Sequence, residues 1–305
     1  MRVALSTNWN CHRHETADSM LEEICSMGFD SVELGYGTTQ TQIDGLRKWL
    51  DSGAIKVTSV HAFCPNFVFG GSGPEVYSLC DIDDKGRTRR GLEAAKVCAD
   101  FAASVGASTV VMHAGRVPIA RHIRALDSLA DRDLLGSPKH DKQTLKIMIK
   151  RDKAVGKHLD ALYESLEEVL PRYKAQNVTL ALENLPTCDA IPNEIEMAEL
   201  LREFNDMPLK YWHDLGHGQI RQNFGFSYHR AIVSSFKQNI AGFHVHDVTF
   251  PDNDHQAPHP GGTVDFKMLA SFAPSPIPFV LEPSKKVDKA SLIEGLAYLR
   301  QTCEI

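Results

Sequence analysis

Residues that can bind a divalent metal recur at the ends of short, β-branched segments of this sequence. Six such segments end, in chain order, in His61, His113, Glu183, Asp214, His244-Val245-His246 and Glu282. Nitrogen and oxygen ligands without sulfur suit manganese, magnesium, cobalt, iron or zinc, and carboxylates favour the harder ions. A single histidine at such a position is usually a hydrogen-bonded, partly buried residue. Three carboxylates buried side by side without a cation would repel one another strongly, so the whole set predicts a metal centre.

These segments alternate with helical stretches, which is the order of a parallel sheet with crossover helices. Eight strands are predicted: Val3–Thr7, Ser31–Leu34, Lys56–His61, Thr109–His113, Thr179–Glu183, Lys210–Asp214, Gly242–His246 and Pro278–Glu282. Most steps between strands take about 25 to 35 residues, the size of one βα unit. The pattern predicts an α/β fold, a (β/α)8 TIM barrel, in which the C-terminal ends of all strands meet on one face. We expect residues 1–305 to form a single domain of this kind.

Helices are predicted between the strands, over Thr16–Met27, Gly91–Val105, Ala154–Ala175, Asn193–Phe204 and Asp288–Arg300. The connection after the fourth strand is the longest, because Pro118–Lys157 adds a charged segment that contains Gly136-Ser137-Pro138. We interpret this segment as an elaborated loop that leads into a long helix. It would lie over the strand ends as a lid or an oligomer contact, or form a surface excursion without function. A second excursion, Pro65–Asp84, follows the third strand.

The composition is that of an ordinary globular protein, with 43% hydrophobic and 24% charged residues. A net charge of −6 gives no electrostatic support for binding nucleic acid. No window approaches the roughly 20 apolar residues of a membrane span, and the N-terminus lacks the pattern of a signal peptide. Seven cysteines without a Cys-x-x-Cys pair fit reduced thiols. Together these features predict a cytoplasmic protein.

Several motifs, in this order and spacing, resemble the xylose isomerase-like TIM-barrel superfamily. That superfamily includes sugar isomerases and epimerases of carbohydrate metabolism, and also endonuclease IV. The resemblance runs from the second strand to the eighth. It is carried by Ala181-Leu182-Glu183-Asn184, His213-Asp214-Leu215-Gly216-His217, His244-Val245-His246-Asp247, Gly261-Gly262-Thr263-Val264-Asp265-Phe266 and Leu281-Glu282-Pro283.

The resemblance implies a set of metal ligands, namely Glu183, Asp214, His244 and Glu282. His246 is the alternative ligand on the seventh strand, because it lies two residues from His244 and on the same face. His244 is preferred because the family motif places the ligand first. Glu33 closes the second strand, where it is either an acceptor for a metal-binding histidine or half of a structural salt bridge.

The similar tagatose and psicose 3-epimerases use their two metal-bound glutamates for proton transfer. This chain would then be a divalent-metal-dependent sugar isomerase or epimerase, with Mn, Mg, Co or Zn as cofactor and a small sugar or polyol as substrate. The catalytic residues would be Glu183 and Glu282. One of them would take a proton from the carbon beside the carbonyl, and the other would return a proton to the enediolate. The residues expected to bind the substrate are His61, His113, His217, His246 and Arg221.

Endonuclease IV offers an alternative function, a zinc phosphodiesterase that acts on abasic DNA. His61, His113 and His217 stand where three of its additional zinc ligands would lie. Asp254 and His255, however, are adjacent rather than separated by one residue, which argues against a third metal. The acidic net charge argues against a nucleic-acid partner. A metal-dependent dehydratase or lyase that acts on a keto-polyol is the other alternative.

Two further features stay open at the level of sequence. Arg116, Lys285 and Lys286 lie near strand ends and are compatible with a phosphate on the substrate, although each also fits a solvated surface charge. Barrels with such elaborations often pair, so the sequence is compatible with a homo-oligomer.

Overall fold

In a computed structural model, which describes residues 2–65, 73–272 and 275–303, eight parallel strands close into a barrel. The strands are β1 (Arg2–Ser6), β2 (Ser31–Leu34), β3 (Lys56–His61), β4 (Thr109–Met112), β5 (Thr179–Glu183), β6 (Leu209–Asp214), β7 (Ile240–Val245) and β8 (Pro278–Leu281). Each strand pairs with its neighbours in the sequence, and β8 closes the barrel against β1 with Phe279 opposite Val3. The predicted barrel and its eight strands are confirmed, and the ends differ by one or two residues.

The strands are buried on both faces, which explains why they are rich in β-branched residues. One set of side chains packs inside the barrel, namely Ala4, Val111, Ala181, Trp212 and Val280. The alternate side chains, such as Leu5 and Val110, join the larger core beneath the helices. Trp212 is fully buried one layer below the strand ends, and its ring lies 5.1 Å from that of His244. The indole therefore packs directly beneath the polar residues at the strand ends.

The helices surround the barrel in the order expected of βα units. They are α1 (Ala17–Cys25), α2 (Gln40–Asp44), α3 (Leu46–Ser52), α4 (Lys85–Ser104), α5 (Ala120–Ala130), α6 (Pro138–Gln176), α7 (Glu194–Glu203), α8 (Leu215–Asn223), α9 (His229–Ser235) and α10 (Lys289–Cys303). Short 3-10 helices cover Thr7–Trp9, Cys11–Arg13 and Phe266–Phe272. Among the described residues, no helix has the length and apolarity needed to cross a membrane.

The interpretation of Pro118–Lys157 as a loop is wrong, because most of this segment is helical. It contains α5 and the first half of α6, a helix of 39 residues that begins well before Ala154. The Gly-Ser-Pro sequence that suggested a loop is in fact the start of α6. Ser137 accepts a hydrogen bond from the backbone N–H of His140, and Pro138 occupies the first turn, where its missing N–H costs nothing.

Two small antiparallel ribbons extend from the C-terminal end of the barrel. One pairs Gly115–Arg116 with Ala190–Ile191, and the other pairs Asp247–Thr249 with Asn253–Gln256. The second ribbon follows β7 directly, so its return strand passes back over the strand ends. The predicted excursion Pro65–Asp84 lies partly outside the described residues.

Candidate metal centre

The four predicted metal ligands converge at the ends of β5 to β8. Glu183 and Asp214 are the last residues of β5 and β6. His244 is the next-to-last residue of β7, and Glu282 follows β8 directly. One ligand atom from each lies within 4.8 Å of the others. We refer to these four residues as the metal cup, because three carboxylates and one imidazole facing a common point fit a divalent cation.

His244 lies at the centre of the metal cup. Its Nδ1 is 2.9 Å from a carboxylate oxygen of Glu183 and 3.2 Å from one of Glu282. The nearest separation to Asp214 is 3.8 Å, again from Nδ1. A single position within reach of Nδ1 is therefore also within reach of the three carboxylates.

The other nitrogen of His244 is held by Glu33 from β2. Nε2 lies 3.1 and 3.2 Å from the two Glu33 carboxylate oxygens, and the Ser59 hydroxyl donates to the same carboxylate at 2.8 Å. With the ring proton on Nε2 and donated to Glu33, Nδ1 keeps a lone pair directed into the metal cup. Of the two roles considered for Glu33, the contact with a candidate metal-binding histidine is the one found.

Asn184 joins the ends of β5 and β6 and fixes Asp214. The Asn184 side chain accepts a hydrogen bond from the Asp214 backbone N–H at 2.7 Å and donates to the Asp214 carbonyl at 3.0 Å. Asp214 also caps α8, because its Oδ1 accepts from the His217 backbone N–H at 2.7 Å. Sequence analysis gave Asn184 no role, although its place directly after Glu183 in a shared motif was the signal that could have found it.

The buried groups of the metal cup shift one another's pKa values. Burial opposes ionisation, but His244 and His113 hold the pKa of Glu183 well below its usual value. In return, Glu282 and Glu183 outweigh burial and raise the pKa of His244 well above its usual value. A bound divalent cation would supply the positive charge that the imidazolium supplies here, so its binding should release a proton.

Two histidines approach the second oxygen of Glu183. His61 Nε2 lies 3.4 Å and His113 Nε2 3.2 Å from Glu183 Oε2. These three residues form another group whose ligand atoms lie within 4.8 Å of one another. The Nδ1 of His113 faces Glu75 at 3.5 Å, and the two glutamates outweigh burial and raise the pKa of His113 to about 9. The structure thus places both predicted histidines beside the metal cup.

A third group of possible ligands adjoins Asp214. His246 Nε2 lies 3.0 Å from Asp214 Oδ2, and the His255 backbone N–H donates to His246 Nδ1 at 2.9 Å. His217, His246 and His255 offer ligand atoms within 4.8 Å of one another. An Asp254 oxygen lies 4.0 Å from His217 Nε2 and 3.9 Å from His255 Nε2. In the sequence, the adjacency of Asp254 and His255 argued against a third metal. Both side chains lie near His217, and His255 has a left-handed backbone (φ 51°).

The family of this barrel follows from comparison with known proteins. The sequence profile described as the xylose isomerase-like TIM barrel matches residues 21–302. The chain belongs to this family. The resemblance predicted from the motifs is thereby confirmed. Comparison with curated protein sequences finds no match.

Solved structures of other barrels superpose on nearly the whole chain. A D-tagatose 3-epimerase-like protein has a TM-score of 0.68 at 16% identity, covering 100% of this chain and 97% of its own. The 3-keto-D-glucoside 4-epimerase of E. coli has a TM-score of 0.66 at 16% identity, with 99% of both chains covered. D-psicose 3-epimerase of Clostridium cellulolyticum H10 has a TM-score of 0.66 at 15% identity, with both chains fully covered. At such low identities the likeness establishes the fold.

The glycine-rich motif of this family member anchors the segment after β7. The buried Asp247 carboxylate accepts backbone N–H groups from Val248 (2.8 Å), Thr263 (3.0 Å) and Val264 (3.2 Å). A Cβ at Gly262 would overlap this carboxylate, so the close approach of the two segments requires glycine there. The motif that suggested the family therefore has a positional role, which sequence analysis did not assign.

Among the residues predicted to bind the substrate, Arg221 forms an ion pair with Glu194. It lies buried on α8, and its Nη2 donates to Glu194 at 2.8 Å. Glu194 therefore already neutralises the charge that Arg221 would offer to a substrate.

Proposed function

We propose that this protein is a divalent-metal-dependent isomerase or epimerase that acts on a sugar or sugar derivative. The observation that carries the proposal is the convergence of Glu183 and Glu282 on one point. They reach it from β5 and β8, and lie 2.9 and 3.2 Å from the same nitrogen of His244. The names of the superposed proteins, a D-tagatose 3-epimerase-like protein, a 3-keto-D-glucoside 4-epimerase and a D-psicose 3-epimerase, agree with this chemistry.

The metal cup would hold the cation, for which Mn, Mg, Co or Zn are the candidates. Its oxygen-rich composition, with one imidazole, suits a cation that keeps positions open for substrate oxygens. When bound, such a cation polarises a carbonyl and stabilises negative charge that develops on its oxygen. Glu33 keeps the His244 ring in the orientation that this binding requires.

The two glutamates perform the proton transfers. Glu183, ionised at neutral pH, takes a proton from the carbon beside the substrate carbonyl and leaves an enediolate. Glu282 returns a proton, taken up from solvent, to the opposite face of that carbon, which inverts its configuration, and Glu183 releases the abstracted proton to solvent. A proton returned to the neighbouring carbon on the same face would instead interconvert an aldose and a ketose.

The surrounding histidines would bind the substrate hydroxyls. His217 would accept a hydrogen bond from a substrate hydroxyl through Nε2, because its Nδ1–H donates to the Asn184 carbonyl at 2.9 Å. His61 and His113 border the opposite edge of Glu183, and His246 orients Asp214. We assign these four histidines to positioning and hydrogen bonding rather than to the proton transfer itself.

The test is proton exchange in heavy water. D-fructose, D-tagatose, D-psicose and a 3-keto-glucoside are incubated with the protein and Mn²⁺, Mg²⁺, Co²⁺ or Zn²⁺, and NMR follows deuterium at the carbon beside the carbonyl. Glu183→Gln and Glu282→Gln should each lower exchange by roughly 10²–10⁴-fold. Exposed Glu203→Gln is the matched control and should leave exchange unchanged. Near-normal exchange in either active-site variant would refute the two-glutamate mechanism.

A zinc phosphodiesterase is a second candidate, because four overlapping groups of possible ligands among the described residues give this chain room for more than one metal. The net charge of −6 disfavours a DNA substrate. Elemental analysis together with cleavage of an abasic-site duplex separates the two functions. One cation per chain and no cleavage supports the isomerase, whereas three zinc ions and cleavage would replace it. A dehydratase or lyase would reveal itself in the exchange assay through loss of water or a shortened carbon chain.

A further inference from the structure

A pocket of about 200 Å³ lies under helix α5, in the connection whose function the sequence left open. Six apolar side chains line it: Ile123, Leu126, Pro186, Ile220, Phe224 and Phe226. They come from α5, from the segment after β5, and from α8 with the residues that follow it. The inserted helix therefore supplies one wall of a cavity whose other walls are parts of the barrel face.

The pocket adjoins the metal cup through Asp254. Asp254 lines the pocket, and one of its oxygens is 4.0 Å from His217 Nε2. The other ring nitrogen of His217 is 3.6 Å from Glu183. Thr187, which also lines the pocket, follows Glu183 by four residues. A ligand that extends from the metal cup past His217 would therefore reach this pocket.

The polar part of the pocket wall is acidic. Asp127, Asp252 and Asp254 line it, and none of the lining residues within the described ranges is basic. Burial and the neighbouring Asp252 carboxylate raise the pKa of Asp127, while burial and Asp131 raise that of Asp252. These carboxyl groups already repel one another, so a further anion in the pocket would be strongly disfavoured.

The arginine considered for a substrate phosphate is already neutralised. Arg116 donates to Glu75 at 2.7 Å and to Asp189 at 3.0 Å. Its guanidinium also donates to the Thr187 hydroxyl. Because these partners occupy both edges of its guanidinium, Arg116 has no free donor edge for a phosphate, which normally binds arginine in a bidentate manner.

We propose that this pocket receives the non-reacting end of the substrate and selects for an uncharged, partly apolar group there. The substrate class is then a keto-sugar with a neutral substituent, such as an alkyl or glycosidic group, rather than a sugar phosphate. The proposal rests on the proposed function for the reacting end of the substrate, and on the pocket alone for the other end.

Binding measurements test the pocket separately from turnover. Isothermal titration at fixed free Mn²⁺ compares D-fructose with its 1-O-butyl and 6-O-butyl ethers and its 1- and 6-phosphates. One of the ethers should bind about tenfold more tightly than D-fructose, the effect of burying roughly two methylene groups. Both phosphates should bind more weakly than D-fructose.

Two variants address the two properties of the pocket. Ile123→Trp fills the cavity and should abolish the gain from the butyl group, so that the ether no longer binds more tightly than D-fructose. Asp252→Lys, at an exposed position on the rim, should strengthen phosphate binding severalfold. Asp83→Lys makes the same charge change at an exposed position outside the pocket and should have no such effect.

The outcomes separate this inference from the proposed function. Butyl selectivity that Ile123→Trp removes, without deuterium exchange in any sugar, would support the pocket and refute the epimerase. Deuterium exchange without butyl selectivity at either position would overturn the pocket. Phosphates that bind as tightly as D-fructose to the unaltered protein would also overturn it.

Discussion

Replacing Glu33 with glutamine tests how the metal cup is organised, because Glu33 contacts the metal cup through His244. In the protein, Nε2 of His244 lies 3.1 and 3.2 Å from the two Glu33 oxygens. Glutamine keeps one acceptor oxygen and the same shape but removes the negative charge. The Ser59 hydroxyl, which donates to the carboxylate at 2.8 Å, can turn to accept from the new amide group. The variant should therefore fold and still orient the ring.

The expected loss is in metal affinity. Removing a group that supports a ligating histidine typically weakens metal binding by about 10–100-fold, or about 1.4–2.7 kcal/mol. We expect Glu33→Gln near the lower end of this range, because one acceptor remains for Nε2. Glu33→Leu, which removes the acceptor entirely, should lie near the upper end.

Mn²⁺ titration followed by electron paramagnetic resonance measures the affinity directly, without any need for a substrate. Ser59→Ala is the matched control, since it removes one buried hydrogen bond to Glu33 but leaves the carboxylate facing His244. Its effect should be smaller than that of either Glu33 variant. If Glu33→Gln and Glu33→Leu bind Mn²⁺ within twofold of the unaltered protein, then His244 does not bind the cation through Nδ1 as inferred.

Three further substitutions test other parts of the structure. Asp247→Asn should lower the free energy of unfolding by about 1.5–3 kcal/mol, because a buried charged acceptor of several backbone N–H groups is lost; urea denaturation measures this, and unchanged stability would contradict it. Gly216→Ala places a Cβ in the ring of His246 and should weaken Mn²⁺ or sugar binding while the circular dichroism spectrum stays unchanged. Unaltered binding would count against the close approach of Gly216 to His246. Hydrogen bonds from Arg13 and its neighbours outweigh burial and hold the pKa of Glu23 at about 2, below the ordinary 4.5. The stabilisation from Glu23 is thus complete above about pH 4.5 and lost towards pH 2. Glu23→Gln should make the loss of stability over that range shallower, and identical acid denaturation curves would refute the assignment.

The barrel could be predicted from sequence because its strands are short apolar runs, six of which carry a metal-capable residue at or beside their C-terminal end. Glu183 and Asp214 illustrate the point, since each is both the last residue of a strand and a member of the metal cup. Because all strands of a parallel barrel end on the same face, knowing the strand ends was enough to bring these residues together. No information on loops was required for this step.

Contacts between residues far apart in sequence could not be predicted in the same way. Glu33 and His244 are separated by 211 positions, and nothing local to either residue names the other. The adjacency of Asp254 and His255 likewise does not show where their side chains point, because that depends on a turn in which His255 has a left-handed backbone. Local signals can also point to the wrong structure: Gly136-Ser137-Pro138 suggested a loop, but Ser137 and Pro138 begin helix α6.

The positions of His244 and His246 connect the number of bound metals to the kind of substrate. His244 faces Glu183 and Glu282, whereas His246 faces Asp214 and belongs with His217 and His255. A single cation in the metal cup leaves His246 free to hold Asp214 in place, which suits proton transfer on a neutral sugar. A second cation among the three histidines would add a positive charge beside Asp214 and favour an anionic substrate instead. The carboxylates that line the neighbouring pocket would oppose such a substrate, which supports the proposal of one cation and a sugar without phosphate.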